Sequence, residues 1–226
     1  NMKRKNIFLL AFIAAILVIV VMFISSINNN VSSNNLDGSL GLVSSYGVSR
    51  NLDGDHVLSN GSPSNTIIEY ASMTCPHCAD FHNEVFPYIK SDLVSTGKVK
   101  YIFRDFPLDQ FAMAGTLIAN VVNEDRYFDV IDVLLKTQVR WMANGYQGLL
   151  SIAKNFGLSA PEVEECLGNQ ELIKLIEKNM SLATNNFGIL GTPSVFVNGK
   201  KISSLKYEEI LAEIEGLDKE ASTALK

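Results

Sequence analysis

The chain has 226 residues, 47% of them hydrophobic, with 19 basic and 24 acidic side chains and a formal net charge of −5. That length suits one domain of ordinary size plus a non-globular segment. Three of the basic residues and none of the acidic ones fall in the first 24 positions, so the rest is acidic with no basic stripe, a poor match for nucleic acid.

Residues 7–24 form an unbroken apolar run behind Lys3-Arg4-Lys5. With no polar face it does not read as a core helix. Two readings stay open, a cleaved signal peptide or a membrane anchor. The 18-residue length and the weak cleavage site at Ser25-Ser26-Ile27-Asn28 favour the anchor. Either one leaves the remaining chain outside the cytoplasm, because the positive flank stays inside. Residues 25–55 are rich in Ser, Asn and Gly and keep no period, as a flexible tether does.

The globular part opens with a short edge strand at His56-Val57-Leu58. A β-rich run, Thr66 to Ala71, leads into Cys75-Pro76-His77-Cys78. Cys78, Phe81, Val85 and Ile89 lie on one helical face, with Pro87 predicting a kink and Gly97 a stop. Val99 to Phe103 is the next strand, completing a right-handed β-α-β unit with parallel strands. Beyond Pro107 the period becomes helical. Helices are expected at Phe111–Val122, Arg126–Met142, Leu149–Phe156, after the capping box Ser159-Ala160-Pro161-Glu162, and at Gln170–Phe187. Ser194 to Val197, Asn198-Gly199 and Lys200 to Ile202 spell a β-hairpin. Tyr207, Ile210, Leu211 and Ile214 mark a closing amphipathic helix. The chain thus divides into a signal peptide or anchor (1–24), tether (25–55), first half of a sheet domain (56–106), helical insertion (107–188), second half (189–217) and C-terminal tail (218–226).

The chemistry concentrates at Cys75 and Cys78. Cysteines three apart close a small strained ring across one helical turn, suited to a disulfide that opens and closes. Three cysteines are too few for a secreted disulfide scaffold. Pro76 fits the first helical turn, where its missing N–H has no partner to lose. The sulfur of Cys75 is expected to face unpaired amides and the positive helix end, which lowers a thiol pKa. His77 is placed to stabilise that thiolate further. Cys78, one turn in, is the buried resolving thiol and needs a proton acceptor. Glu69, on the entering strand among apolar neighbours, either points to solvent or lies buried beneath the site; the second is the functional reading. Gly191-Thr192-Pro193-Ser194 is the other constellation: an ordinary trans loop, or a cis-proline turn beside the disulfide where the Thr192 backbone pairs with an extended substrate.

With these residues in hand, the chain resembles the bacterial DsbA family of thiol–disulfide oxidoreductases. The likeness rests on Glu69 before Cys75-Pro76-His77-Cys78, on Arg104-Asp105-Phe106-Pro107 after the second strand, and on Gly191-Thr192-Pro193 before Val195-Phe196-Val197-Asn198-Gly199. It spans about 63–215. The resemblance implies an α/β, thioredoxin-like fold with a mixed central sheet and an inserted all-helical domain. It implies Cys75 as nucleophile, Cys78 as resolving thiol, His77 as tuner and Pro193 as cis-proline. It also implies a periplasmic location, reduced exported proteins as substrates, and reoxidation by a DsbB-like, quinone-linked membrane oxidase. Thr192 departs from members with an apolar residue there, and the N-terminal run is longer than a typical export signal. No cofactor, metal or nucleic acid is expected, and a monomer is.

Other candidates read more plainly. Cys166 shares a helical face with Val163 and Leu167 and reads as a buried free thiol. His82 with Cys75 and Cys78 supplies three zinc ligands, with only distant Cys166 or His56 as a fourth. Trp141 and Met142 read as packing residues. The competing functions are a reductase or isomerase of the same fold, or a membrane-tethered binding or metal-carrier protein. No dimerisation element is visible for an isomerase.

Overall fold

Seven consecutive residues, Asn65–Ala71, form strand β2, and every one of them is buried. A strand covered on both faces has no solvent side for alternation to reveal. In the computed structural model, which describes Val48 and residues 51–224 (side chains to 216), β2 is the middle of a five-stranded sheet. The others are β1 (His56–Leu58), β3 (Val99–Asp105), β4 (Ser194–Val197) and β5 (Lys200–Lys201). Their order is β1-β3-β2-β4-β5. β2 and β3 run parallel and the other neighbours antiparallel. The β4–β5 turn is carried by Asn198 and Gly199, both at positive φ. Asn198 also accepts a hydrogen bond from the Thr66 amide at 2.7 Å, fixing the hairpin to the start of β2.

Helix α1 (Pro76–Glu84) follows β2. The bend arrives earlier than Pro87 alone suggests. The α-helix stops at Val85, and the chain continues through the short α2 (Phe86–Tyr88) and a π-helical turn, Ile89–Val94. Proline lacks an amide and its ring displaces the carbonyl four residues back, so the disruption spreads upstream.

Between β3 and β4 lie α3 (Gln110–Val121), α4 (Tyr127–Lys136), α5 (Gln138–Ala143), α6 (Gly145–Asn155), α7 (Ala160–Leu167) and α8 (Gln170–Phe187). The single helix expected over 126–142 is two, broken at Thr137 (φ −110°, ψ 17°). There the threonine hydroxyl, at 2.6 Å, shares the Val133 carbonyl with its own amide, and the Trp141 indole N–H donates to the Leu134 carbonyl at 2.7 Å, which the next ladder bond would use. The turn into α6 lets Gly148 approach Trp141; a Cβ on it would lie 2.3 Å from the Trp141 carbonyl oxygen. The capping box at Ser159 and Glu162 forms at the start of α7. The last helix, α9 (Tyr207–Ala224), runs past residue 217, through most of the stretch expected as a tail.

The core lies on both sides of the sheet. One face packs Ile67, Tyr101, Phe103, Val195 and Val197 with α1, most of the helical block, and Ile210 and Ile214 of α9. The other packs Ile68, Tyr70, Ile102 and Phe196 with Ala183, Phe187 and Ile189. The end of the expected tether belongs to that second face. Val48 is fully buried, and Asp55 pairs with buried Arg104 at 2.7 Å. Arg104 also donates to the Val48 carbonyl and the Tyr70 hydroxyl. Breaking such a buried pair from one side costs about 3–5 kcal/mol. The apolar run 7–24 lies outside the described residues. Among those described, no helix is long and apolar enough to cross a membrane.

Candidate active site

Where β2 ends, Cys75 takes an extended conformation (φ −77°, ψ 118°) and caps α1, with Pro76 in the first helical turn. The Cys75 carbonyl accepts the amides of Cys78 (3.1 Å) and Ala79 (3.2 Å), so its sulfur sits at the helix end where amides are unpaired. Both cysteines are free thiols. Cys75 retains 6% exposure and Cys78 none. Only one sulfur of the pair meets the surface.

Their environments push them apart. The Cys78 thiol donates towards the Cys75 sulfur, with further help from the Thr192 side chain and the amides of Cys78 and His77. Together these overcome burial and bring Cys75 from 9.0 down to about 5. Cys78 moves the other way: burial dominates, and the Cys75 sulfur and the Glu69 carboxyl add to it, holding Cys78 far above an ordinary thiol. Glu69 is fully buried. Burial lifts it from 4.5 to about 8 despite a hydrogen bond from Tyr101 that pulls it down. At neutral pH it is mainly a neutral acid.

The second constellation faces the first. Pairing of Tyr70 with Ser194 puts the start of β4 beside the end of β2. The loop before β4 then reaches Cys75, whose sulfur, in its thiol form, donates to the Thr192 carbonyl at 3.2 Å. The Thr192–Pro193 peptide is cis. Ser194 closes the loop by donating to the Gly191 carbonyl at 2.8 Å.

Glu69, Cys75, Cys78, Thr192 and Pro193 therefore meet, from positions more than a hundred residues apart. Pro76 is exposed at the mouth. The imidazole of His77, expected to tune Cys75, instead projects outward, 82% exposed and 3.7 Å from Asp80. What this residue gives to the sulfur is its backbone amide. His82 lies on α1 facing α4, where it bonds to Asp132 at 2.9 Å. Among the described residues no group of three or more ligand side chains is assembled for a metal. Cys166 is buried on α7, and burial raises it to about 11.

Two supporting groups have no motif. Gln138, at the start of α5, is buried and donates through its amide nitrogen to the carbonyls of Met73 and Cys75, both at 2.9 Å. Asp109 caps α3 by accepting from the Ala112 amide and also accepts the Thr74 hydroxyl at 2.7 Å. The helical block thus grips the redox loop from two sides. A glutamine standing on the apolar stripe of its helix is the sequence signal for the first; a polar residue at a core position is buried only when satisfied.

Comparison with known proteins agrees with this arrangement. The thioredoxin family profile matches residues 51–216. A Rickettsia bellii protein named as a protein-disulfide oxidoreductase is 30% identical over 177 residues, 76% of this chain and 68% of that protein. The chain spans 60% of the length of the Rickettsia conorii counterpart. Disulfide bond formation protein D of Bacillus subtilis is 28% identical, over 73% of this chain and 77% of its own. The crystal structure of Wolbachia pipientis α-DsbA1 superposes with a TM-score of 0.71 at 28% identity, covering 80% of this chain and all of that one. The chain belongs to the thioredoxin family, among its DsbA-like disulfide oxidoreductases.

Proposed function

We propose that the protein is a dithiol oxidase that introduces disulfides into exported proteins through the Cys75–Cys78 pair. The observation that carries this reading is the asymmetry of the pair: a surface-reaching Cys75 sulfur ringed by donors, and a sealed Cys78 backed by the neutral acid Glu69. A substrate thiolate attacks Cys75 Sγ of the oxidised pair. The Cys75–Cys78 bond breaks, its electron pair passes to Cys78 Sγ, and Cys78 takes a proton from Glu69. A second substrate thiolate then attacks its own sulfur in the mixed disulfide and expels Cys75, leaving the substrate oxidised and the pair reduced. Cys75 is a good leaving group because its thiolate is stabilised. Cys78 departs only if protonated, since a buried thiolate there is strongly disfavoured.

The Thr192 carbonyl, beside Cys75 and preceding Pro193, is the backbone group on which an extended substrate segment pairs. Further parts of the proposal are that this takes place outside the cytoplasm, with the chain tethered by residues 7–24 or freed from them, and that a quinone-linked membrane oxidase of the DsbB kind restores the disulfide. The apolar run behind Lys3-Arg4-Lys5 and the kinship to DsbA-like proteins support these parts.

The deciding measurement is the equilibrium potential against glutathione. An oxidase is expected towards about −120 mV, whereas a value near −270 mV would make the protein a reductase. Replacement of Cys78 by Ala is expected to trap exported proteins on Cys75 as mixed disulfides. Absence of any trapped species would instead indicate a binding protein that reuses the fold.

A further inference from the structure

Glu69 and Tyr101 are neighbours on the same face of the β2–β3 pair, since Tyr101 stands opposite Ile67, two residues along from Glu69. Both are fully buried. The Tyr101 hydroxyl donates to Glu69 Oε2, while Oε1 is buried without a hydrogen-bond partner. The Tyr101 ring is held by Phe86, at 4.9 Å between centroids, and Phe128, at 6.2 Å. Packing therefore fixes where the hydroxyl points. The Tyr101 hydroxyl favours the charged form of Glu69, against burial and the nearby Cys75.

We propose that Tyr101 is a positioning residue of the thiol exchange, holding Glu69 Oε2 so that Oε1 is the oxygen that passes a proton to and from Cys78. This rests on the reading of Glu69 as the proton partner of Cys78. As the Cys75–Cys78 bond breaks and its electron pair settles on Cys78 Sγ, the Oε1–H proton moves to that sulfur. Glu69 becomes a carboxylate inside an apolar core. A buried charge needs a donor, and the Tyr101 hydroxyl is one already in place at the oxygen that never held the moving proton. The reverse step, in which Cys78 attacks a mixed disulfide on Cys75, uses the same contact to steady the carboxylate before it accepts the Cys78 proton.

The test is a pH profile of exchange by the full chain, with Tyr101→Phe and Glu69→Gln beside the parent, together with the infrared carboxyl band that Glu69→Gln removes. Tyr101→Phe is expected to move the Glu69-dependent break upward by about one pH unit, a tenfold change in the ionisation constant. It is also expected to shift the carboxyl band to higher frequency, as loss of a donor requires. A fluorinated tyrosine at position 101, a stronger donor of the same shape, is expected to move the break down, and it keeps the test alive should Tyr101→Phe fold poorly. If Glu69→Gln abolishes the break while both Tyr101 changes leave break and band in place, the role of Tyr101 is overturned and that of Glu69 stands. If Glu69→Gln leaves the profile intact, the reading of Glu69 falls, and this proposal with it.

Discussion

Protonating Cys75 is the perturbation that bears most directly on this site, and it needs only a change of pH. The thiol falls from 9.0 to about 5 on folding. A depressed pKa contributes stability that is complete above 9, shrinks as pH falls, and is gone below about 5. At pH 7, two units above the folded value, this is worth about 2.7 kcal/mol to the reduced form. Cys75 is mostly covered but opens at the mouth of the site with 6% exposure, and solvent screening there cuts this to about 1–2 kcal/mol. For a two-electron couple that makes the disulfide about 20–40 mV more oxidising. It also raises the melting temperature of the reduced protein by about 2–8 °C. Glu69 works in the opposite sense, losing stability as pH rises from 4.5 towards 8. Burial, the largest cause, acts in both forms and the Cys75 thiolate only in the reduced one, so comparing the two forms removes most of this part. The assay is the ultraviolet absorbance of the thiolate, followed by melts of both forms between about pH 4 and 9. The gap between reduced and oxidised melting temperatures is expected to widen in favour of the reduced form across that range. A thiolate that appears only near pH 9, or a gap that does not change with pH, would refute the reasoning.

Three other changes probe the surroundings. Thr192→Val keeps shape but removes a buried hydroxyl beside Cys75 that has no hydrogen-bond partner of its own in the resting structure and turns to the sulfur once it is a thiolate; the thiolate titration is expected to move up by as much as about one unit, with a less oxidising disulfide. Gln138→Leu leaves the Met73 and Cys75 carbonyls without this donor. A loss of about 1–3 kcal/mol is expected in denaturant unfolding, with a raised Cys75 pKa as the redox loop loosens. Gly148→Ala places a Cβ 2.3 Å from the Trp141 carbonyl oxygen, where only backbone movement can make room. Urea unfolding is expected to show a loss of about 2–3 kcal/mol, while the potential of the folded fraction stays unchanged.

The strands were legible because β-rich runs ended at clear punctuation, as at Gly97 before β3 and Asn198-Gly199 after β4. The redox pair and the facing proline loop were legible for a different reason: their chemistry is written in adjacent residues. What escaped was non-local. Whether Glu69 faces solvent depends on what covers β2, and only the assembled sheet shows that both faces are filled. The periodic stretch 126–142 hides a break at Thr137, because an apolar stripe reports the buried face and not the continuity of the ladder. His77 is read as the tuning group by adjacency, yet along α1 its side chain turns outward; the Cys78 thiol is the largest influence lowering Cys75, and the His77 amide adds a smaller one. Gln138 and Asp109 support the site across 63 and 35 residues of sequence, separations that no local pattern records.

A protein that trades disulfides carries a hazard within its own chain, because three cysteines allow three ways of making one bridge. Burial of Cys166 on α7 removes that ambiguity. With its pKa raised to about 11, only about one molecule in ten thousand holds it as a thiolate at neutral pH. The attacking species in exchange is the thiolate; burial holds the Cys166 thiolate back, whereas hydrogen-bond donors favour that of Cys75 at a similar exposure. Self-inflicted misbridging is thereby suppressed kinetically. Exchange at Cys75 and Cys78 then meets little competition from the third thiol, which stands in the core on α7.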